Sequence, residues 1–349
     1  MVLRARGLGG VSDFSVRRYQ DGDGPAILDL FNAVFAEGNP SYVPRTLEHW
    51  EHIYLNNPAG HEILVATDTD GAIIANYSAI PAFCAVKGQR LRSAQAVDTC
   101  VARAWRGSLR KNSVFVTIAR DYCEIFGQTN ADYTNEYMWG LPNEQAFPVG
   151  TRIIGYRPVH VPMPKLSREL DQAWLDGLAQ EGRGVELRES DGSDLGAMAE
   201  LFERHLDQLP LGIWKDEAYL TWRFRDWPGR PYRAVSAWRG GQMLGALIYR
   251  LGWMGQPLAA LVDWIGPGGD REAVAALLGH VAGETLAAGG LRVEGWATPR
   301  APHFATLSGL GLTRSDSPFS LCIMIYSDHF DLEWAQDNWI VTMGDSDIY

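Results

Sequence analysis

The chain has 349 residues, of which 46% are hydrophobic, so it is long enough for two ordinary domains that each bury a core. Asp and Glu together number 42 against 31 Lys and Arg, and the resulting net charge of −11 repels a nucleic-acid backbone, so nucleic acid is excluded as an expected partner. The four cysteines form no Cys-x-x-Cys pair, so reduced thiols are expected rather than a disulfide framework or a zinc site.

The N-terminal stretch, residues 1–13, carries Arg4 and Arg6 without a continuous apolar segment behind them. It predicts a flexible tail rather than a secretory signal. The most apolar later region, residues 244–265, is interrupted by Arg250 and Asp263, so no membrane-spanning helix is predicted. We therefore expect a cytoplasmic protein with no membrane partner.

The first predicted helix begins a pattern that recurs in the second half of the chain. Behind Asp23 and again behind Asp194, apolar residues return at three- and four-residue spacing, which predicts one apolar helix face in each half. Both aspartates stand where an N-cap side chain accepts hydrogen bonds from free backbone amides. The matched apolar residues are Ala26, Ile27, Leu30, Phe31 and Phe35 in the first half and Ala197, Met198, Leu201, Phe202 and Leu206 in the second.

The remaining elements follow in the same order in both halves. Each half has a hairpin, a third strand that carries Asp98 or Asp263, a helix, a strand, a short helix and a last strand. This order predicts an α/β fold with a mixed sheet (α+β), used twice in tandem. The segments are 62–67, 72–86, 111–126 and 136–139 in the first half and 233–238, 243–251, 271–288 and 291–296 in the second.

The repeat also sets the predicted domain boundaries. A tail (1–13) precedes a first domain (14–166), a polar linker (167–184) leads to a second domain (185–327), and a C-terminal tail (328–349) is expected to pack on the domains.

Four motifs accompany this order of elements, namely Val97-Asp98-Thr99-Cys100-Val101, Trp105-Arg106-Gly107, Trp139-Gly140-Leu141-Pro142-Asn143 and Gly155-Tyr156. With these motifs, the order of elements resembles the GNAT superfamily of acyl-CoA-dependent transferases, over nearly the whole chain and in both halves. The resemblance implies two tandem GNAT folds. It also implies transfer of an acyl group from a CoA thioester to an amine of a small-molecule acceptor, with acetyl as the first acyl group to expect. Acetyl-CoA or another acyl-CoA is the implied co-substrate, with no metal.

The resemblance also implies where the donor binds. The strand ending at Val101 separates from the next strand, the donor's pantetheine lies in the gap on strand amides such as those of Cys100 and Val101, and the following turn holds the diphosphate.

The turn itself is basic, as an anion site requires. Four cations surround Gly107 and Ser108 directly before a predicted helix, whose free amides also favour an anion. These cations are Arg103, Arg106, Arg110 and Lys111. The alternatives are a solvated basic turn, or a site for the phosphopantetheine arm of an acyl carrier protein, because Ala104 and Leu109 depart from the family's usual phosphate loop.

The matching turn of the second half, residues 266–271, has one cation beside Asp270. It predicts a glycine-rich turn with Asp270 as helix N-cap, so one donor site is expected, in the first half.

Two carboxylates are candidate general bases for deprotonating the acceptor amine. Asp98 lies on the strand that should flank the thioester, and Glu136 begins the neighbouring strand. The alternatives are that Asp98, like Asp263, binds backbone or a partner arginine, and that Glu136 faces solvent.

Four further residues are weighed against the family pattern. Asn143 either binds the donor or caps a helix. Thr151 stands where many family members have a tyrosine that acts as the general acid for the leaving sulfur. Tyr156 and Tyr137 are substitutes for that tyrosine by residue type only.

The C-terminal segment, residues 334–349, mixes apolar residues with Asp345 and Asp347. It is expected either to pack across a cleft, where these aspartates bind a cationic acceptor amine, or to be a solvated acidic end. Two other functions stay open: a non-catalytic module that binds acyl-CoA, and a transferase whose donor is an acyl carrier protein. The negative charge shared with such carriers argues against the second.

Overall fold

The computed structural model describes residues 13–106, 113–127, 135–229, 232–253 and 255–348. Strands and helices are numbered in chain order. The strands are β1 (Phe14–Arg18), β2 (Glu62–Asp68), β3 (Ile73–Val86), β4 (Gln89–Val101), β5 (Tyr137–Gly140), β6 (Arg157–His160), β7 (Pro164–Glu169), β8 (Glu186–Glu189), β9 (Leu211–Ile213), β10 (Arg233–Arg239), β11 (Gln242–Trp253), β12 (Gln256–Ile265), β13 (Arg292–Trp296), β14 (Thr313–Asp316) and β15 (Leu321–Ile325). The helices are α1 (Gly24–Ala36), α2 (Leu47–Tyr54), α3 (Val114–Phe126), α4 (Ala146–Val149), α5 (Gln172–Glu181), α6 (Leu195–Arg204), α7 (Glu217–Leu220), α8 (Arg271–Ala287), α9 (Phe304–Gly309) and α10 (Leu332–Asn338).

The described residues form two compact units. Unit 1 contains residues 13–83, 91–159 and 321–331, and unit 2 contains residues 84–90, 160–320 and 332–348, apart from the gaps given above. No helix among these residues is long and apolar enough to cross a membrane.

The sheet of unit 1 has the strand order β1-β2-β3-β4-β5-β15-β6. Its β4 and β5 are parallel, whereas β1 with β2, β2 with β3, and β5 with β15 are antiparallel. Helix α3 covers one face, where Ile118 and Tyr122 pack in one core with Leu64 and Tyr77 of the sheet. The predicted turn at Asp68 is present, because its carboxylate accepts two backbone amides and Gly71 supplies the positive φ.

The sheet of unit 2 has the order β8-β10-β11-β12-β13-β7-β14, read from the matching edge. Here β12 and β13 are the parallel pair. Helix α8 is buried along most of its length against β10 and β11, with Leu277, Leu278 and Val281 in the core. The two sheets therefore repeat one mixed architecture, as the sequence predicts.

One strand of each sheet comes from an unexpected part of the chain. β15 follows the second repeat in sequence but pairs with β5 of unit 1, and β7 follows the first repeat but pairs with β13 and β14 of unit 2. Periodicity identifies both segments as strands but says nothing about which sheet edge each one joins. The boundaries observed therefore differ from 14–166 and 185–327, and the expected linker, 167–184, contains the end of β7 and all of α5.

The predicted caps of α1 and α6 are wrong. Asp23 stands at the N-cap position, but its carboxylate binds Arg17 at 2.6 and 2.9 Å instead of the helix amides. Asp194 accepts hydrogen bonds from the hydroxyls of Ser190 and Ser236. Both carboxylates tie the helix start to a neighbouring strand or turn, a tertiary contact that local sequence does not reveal.

Candidate active site

The ladder between the parallel strands β4 and β5 of unit 1 stops short of the end of β4. The register pairs Ser93 through Gln95 of β4 with Tyr137 through Trp139 of β5, yet β4 continues to Val101 while β5 ends at Gly140. The far end of β4 is held from its other side, where the amide of Ala102 donates to the carbonyl of Ile74 at 2.8 Å. Past Gln95, β4 therefore leaves a gap beside β5.

Asp98 of β4 lies at this gap, and its backbone is left-handed. Its φ of +54° lies in the left-handed region, which costs a non-glycine residue roughly 1–2 kcal/mol. The Nδ2 of Asn76 donates to its carbonyl at 3.1 Å, and the hydroxyl of Tyr54 donates to its carboxylate at 2.7 Å. These contacts offset the strain and fix the point where β4 turns from β5.

Both carboxylate oxygens of Asp98 are also bound by Arg45, from the segment between α1 and α2. Its Nη1 donates to Oδ2, its Nη2 donates to Oδ1 at 3.3 Å, and its guanidinium lies 4.3 Å from the ring centre of Phe31. The side chains of Arg45 and Asp98 are 17% and 9% exposed. Both oxygens of this carboxylate therefore already accept hydrogen bonds from the protein.

Unit 2 repeats this ion pair. Asp263 of β12, the counterpart of Asp98, binds the Nζ of Lys215 at 2.5 Å, and Lys215 precedes α7 as Arg45 precedes α2. Asp263 is fully buried. Burial raises its pKa to about 6, with Lys215 opposing the shift and Asp345 adding to it. The repeated pair supports the alternative in which Asp98 binds a partner cation.

Cys100 and Val101, the expected contacts of the pantetheine, end β4. Cys100 is 4% exposed, and burial raises the pKa of its thiol to about 12, so the thiol stays protonated near neutral pH. The carbonyl of Val101 accepts a hydrogen bond from Nε of Arg106 at 2.6 Å.

Arg106 begins the basic turn and binds Glu37 at the end of α1, through Nη1 at 2.8 Å and Nη2 at 3.2 Å. Both side chains are more than one-third exposed, so the pair is open to exchange with solvent or a ligand. The other residues expected to bind the diphosphate, which are Gly107, Ser108, Arg110 and Lys111, lie outside the described residues. Helix α3 begins at Val114 with Ser113 as its cap, three residues later than predicted.

Glu136 and Asp98 are not brought together. The amide of Glu136 donates to the carbonyl of Arg92, six residues before Asp98, which is about 20 Å along an extended strand. Its carboxylate lies 2.8 Å from Nδ1 of His329, and the residue is 5% exposed. Glu136 is therefore neither solvent-facing nor beside the gap, because the parallel register places the start of β5 at the opposite end of β4.

Asn143 caps α4. Its Oδ1 accepts from the amides of Gln145 at 3.1 Å and Ala146 at 2.8 Å, so the capping alternative describes it in this structure. The hydroxyl of Thr151 donates to the carbonyl of Phe147 at 2.8 Å.

The two substitute tyrosines are core residues. Tyr156 is 7% exposed with its hydroxyl 3.3 Å from that of Tyr77, and burial raises the pKa of Tyr156 well above its usual value. Tyr137 is fully buried on β5. Burial in the core leaves neither hydroxyl accessible to a substrate.

In unit 2 the turn before α8 has the predicted cap. Asp270 accepts from the amide of Ala273 at 3.0 Å and pairs with Arg239 at 2.9 Å. A carboxylate therefore occupies the helix start where a phosphate would bind. Among the residues that the structure describes, no group of three or more His, Cys, Asp or Glu could hold a metal ion.

Arg45 and Tyr54 were not expected at the site. A signal was present, since a cation precedes Trp50 by five residues and Trp222 by seven. Because of this two-residue difference, Arg45 and Lys215 do not align in the sequence. Their correspondence is visible only because each binds the matching aspartate of its own unit.

Comparison with known proteins agrees with the fold. The sequence model of the acetyltransferase (GNAT) domain family matches residues 15–113. A comparison with curated protein sequences found no significant match.

Similar solved structures share the fold over most of the chain. A probable N-acyltransferase of Enterococcus faecalis has a TM-score of 0.61 at 13% identity, covering 90% of this chain and 72% of that one. A GCN5-related N-acetyltransferase of Anabaena variabilis has a TM-score of 0.63 at 14% identity, covering 90% and 73%. The N-myristoyltransferase of Saccharomyces cerevisiae with bound myristoyl-CoA has a TM-score of 0.55 at 14% identity, covering 91% and 84%. Residues 15–113 thus match the acetyltransferase (GNAT) domain family, and the chain shares its fold with solved N-acetyltransferases of the GCN5-related type.

Proposed function

We propose that the protein transfers an acyl group from an acyl-CoA to the amine of a small-molecule acceptor, with the donor bound by unit 1. The observation that carries the proposal is the gap past Gln95, where the ladder between β4 and β5 stops; this end of β4 lies inside the stretch that matches the GNAT domain. An extended pantetheine arm can hydrogen-bond to strand amides left unpaired in such a gap. Acetyl is the first acyl group to test.

The reaction needs few protein groups. The amine nitrogen attacks the thioester carbonyl, a C–N bond forms, the C–S bond breaks, and the proton lost by the amine passes through water to the leaving thiolate, which gives free CoA thiol. Backbone amides at the gap would stabilise the oxyanion of the tetrahedral intermediate. Asp98 is proposed as a positioning residue that holds the left-handed conformation of β4 at the gap, because Arg45 and Tyr54 occupy its carboxylate.

The base role for Asp98 remains the competing assignment. It requires the ion pair with Arg45 to open when substrates bind, or a water molecule to carry the proton to the carboxylate. Glu136 is left out of this proposal because of its place at the other end of β4.

A second function is a module that binds acyl-CoA without turning it over. The buried hydroxyl of Tyr156 and the occupied carboxylate of Asp98 favour it, because neither group is placed to move a proton. A donor carried by an acyl carrier protein is the third alternative.

Release of free CoA thiol distinguishes these functions. Purified protein is incubated with acetyl-CoA, then with longer acyl-CoAs up to myristoyl-CoA, each with and without a panel of primary amines, and the N-acyl product is identified by mass. Thiol release that depends on the amine supports transfer. Saturable acyl-CoA binding without any N-acyl product supports the binding module, and a product formed only from an acylated carrier protein supports the third alternative.

A further inference from the structure

A buried polar pair on β3 holds the backbone of Asp98. The Nδ2 of Asn76 donates to the carbonyl of Asp98 at 3.1 Å, and the hydroxyl of Ser78 donates to the Oδ1 of Asn76 at 2.9 Å. Asn76 is 2% exposed and Ser78 is fully buried. Because a carbonyl accepts hydrogen bonds and a hydroxyl can donate one, Ser78 keeps the side chain of Asn76 in the orientation that presents its NH₂ group to Asp98.

This contact fixes the direction of the peptide group between Asp98 and Thr99, which is trans. In a planar trans peptide, the C=O of one residue and the N–H of the next point in opposite directions. The carbonyl of Asp98 points to Asn76 on β3, so the N–H of Thr99 points away from β3, to the side of β4 on which β5 pairs as far as Gln95. At Thr99 that side of β4 is the gap.

Unit 2 arranges the matching peptide group differently. Both aspartates, Asp98 and Asp263, are among the described residues, and of the two only Asp98 has a left-handed backbone. The residue paired with Asp263 across the ladder is Ile248, whose side chain has no hydrogen-bonding group. The next amide along the chain, that of Trp264, donates to the carboxylate of Asp263 itself at 2.9 Å. The orientation of the Asp98–Thr99 peptide therefore belongs to unit 1 and does not come with the repeated fold.

We propose that Asn76, oriented by Ser78, is a positioning residue for acyl transfer. It holds the peptide group so that the amide of Thr99 donates to the thioester oxygen of the acyl donor. This hydrogen bond strengthens as the oxygen gains negative charge in the tetrahedral intermediate. The bonds that form and break are those of the proposed transfer, on which this role of Asn76 depends.

The left-handed backbone of Asp98 needs such a support. This conformation is unfavourable for a residue with a Cβ atom, and a buried carbonyl without a hydrogen bond is costly as well. If Asn76 is replaced by leucine, which has a similar size, the carbonyl of Asp98 loses its donor and the peptide group is released to rotate. The amide of Thr99 then leaves its fixed direction, and a donor that must reorient during the reaction stabilises the oxyanion less.

Infrared spectroscopy of the full chain tests this role without an acceptor, with acetyl-CoA that carries ¹³C at the acetyl carbonyl as the probe. A hydrogen bond to a carbonyl oxygen lowers the stretching frequency of that carbonyl. We therefore expect the band of bound acetyl-CoA to lie at a higher frequency in Asn76→Leu than in wild type. Ser78→Ala is the milder change, because it removes only the orienting hydroxyl, and it should shift the band in the same direction by less.

Thiol release from acetyl-CoA, with an amine of the panel that supports turnover, gives the second measurement. Asn76→Leu should lower kcat by about tenfold or more and leave KM for acetyl-CoA nearly unchanged, because the hydrogen bond is strongest in the transition state. Adding Ser78→Ala to Asn76→Leu should lower kcat no further, since Ser78 acts through Asn76.

Asn57→Leu is the matched control. Asn57 is a buried residue of the same unit whose Nδ2 donates to the carbonyl of Pro81 at 3.0 Å, so the substitution removes the same kind of hydrogen bond elsewhere. It should leave the band and kcat unchanged.

The outcomes separate this role from the proposed function. A band that Asn76→Leu does not shift, or that Asn57→Leu shifts equally, overturns the role of Asn76 and leaves donor binding intact. Binding of acetyl-CoA without turnover by wild type rejects the proposed transfer, and the band then still decides whether Asn76 orients the amide. Wild type that binds no acetyl-CoA overturns both.

Discussion

Arg45 binds both carboxylate oxygens of Asp98 at the one left-handed residue of β4. The pair joins the segment before α2 to the point where β4 leaves β5, so it couples the shape of the gap to the region between the first two helices. Its counterpart in unit 2, Lys215 with Asp263, shows that the arrangement belongs to the fold as well as to any reaction.

Asp98→Asn separates a positioning role from a base role. Removing one partner of a mostly buried pair leaves Arg45 uncompensated, and we expect unfolding free energy to fall by about 2 kcal/mol, below the 3–5 kcal/mol range of fully buried pairs. With folded protein as the reference, turnover should fall less than tenfold. A loss of about a hundredfold or more with unchanged donor affinity would instead identify Asp98 as the base.

Asp263→Asn is the matched control for that experiment. Lys215 keeps Asp345 as a second carboxylate, so its charge is not left uncompensated, and the substitution should cost less stability than Asp98→Asn. Urea unfolding of both variants at pH 7 gives the comparison. A larger loss for Asp263→Asn contradicts this account of the charges.

If the donor binds as proposed, its diphosphate and the carboxylate of Glu37 compete for the guanidinium of Arg106. Arg106→Ala should weaken CoA binding by about 1.5–3 kcal/mol, or roughly ten- to 150-fold, because a charged hydrogen bond to phosphate is lost. Glu37→Gln should have the opposite sign and strengthen CoA binding several-fold, since it frees the guanidinium from its carboxylate partner. Calorimetric titration with CoA measures both. Unchanged affinity in Arg106→Ala removes this arginine from the donor site.

Strand β15 comes late in the chain but belongs to the sheet of unit 1, so a substitution in β15 should destabilise unit 1. Ile323 of β15 is fully buried in the sheet of unit 1, and Ile323→Ala should cost about 2–5 kcal/mol. Amide hydrogen exchange should then quicken in β4 and β5. Leu166→Ala on β7 is the counterpart, and it should quicken exchange in β13 and β14 instead. Loss of protection confined to residues near each substitution in sequence would contradict the places of β15 and β7 in these two sheets.

The sequence was sufficient for the repeated order of elements, because helix faces, hairpin turns and glycine positions are local signals. It could not give the contacts that join distant segments. Strand β15 has a buried apolar pattern that suits either sheet. Asp23 is of a residue type that often caps helices, but its carboxylate binds Arg17 instead. The same limit applies to the site, where Asp98 was singled out but its partner Arg45, 53 residues away, was not.

His303 makes the stability of unit 2 depend on pH in a defined direction. Its pKa is lowered from 6.5 to about 3 by burial, so above pH 6.5 the ring is neutral in both the folded and the unfolded chain. As pH falls below 6.5, the unfolded chain binds a proton that the folded chain refuses, and folding stability is lost down to about pH 3. At pH 5 the loss is about 2 kcal/mol, from 1.36 kcal/mol for each pH unit below 6.5.

Asp263 acts in the opposite direction, so wild-type protein alone does not isolate the effect. The pKa of Asp263 is raised to about 6, and its protonation in the folded chain gains stability as pH falls through that value. The informative quantity is the difference in unfolding free energy between wild type and His303→Gln, measured in urea at pH 7 and at pH 5. Glutamine does not titrate, so wild type should lose about 2 kcal/mol relative to the variant over this interval. A constant difference would mean that the ring is protonated in the folded protein at pH 5, and that His303 is open to water instead of buried against Trp264.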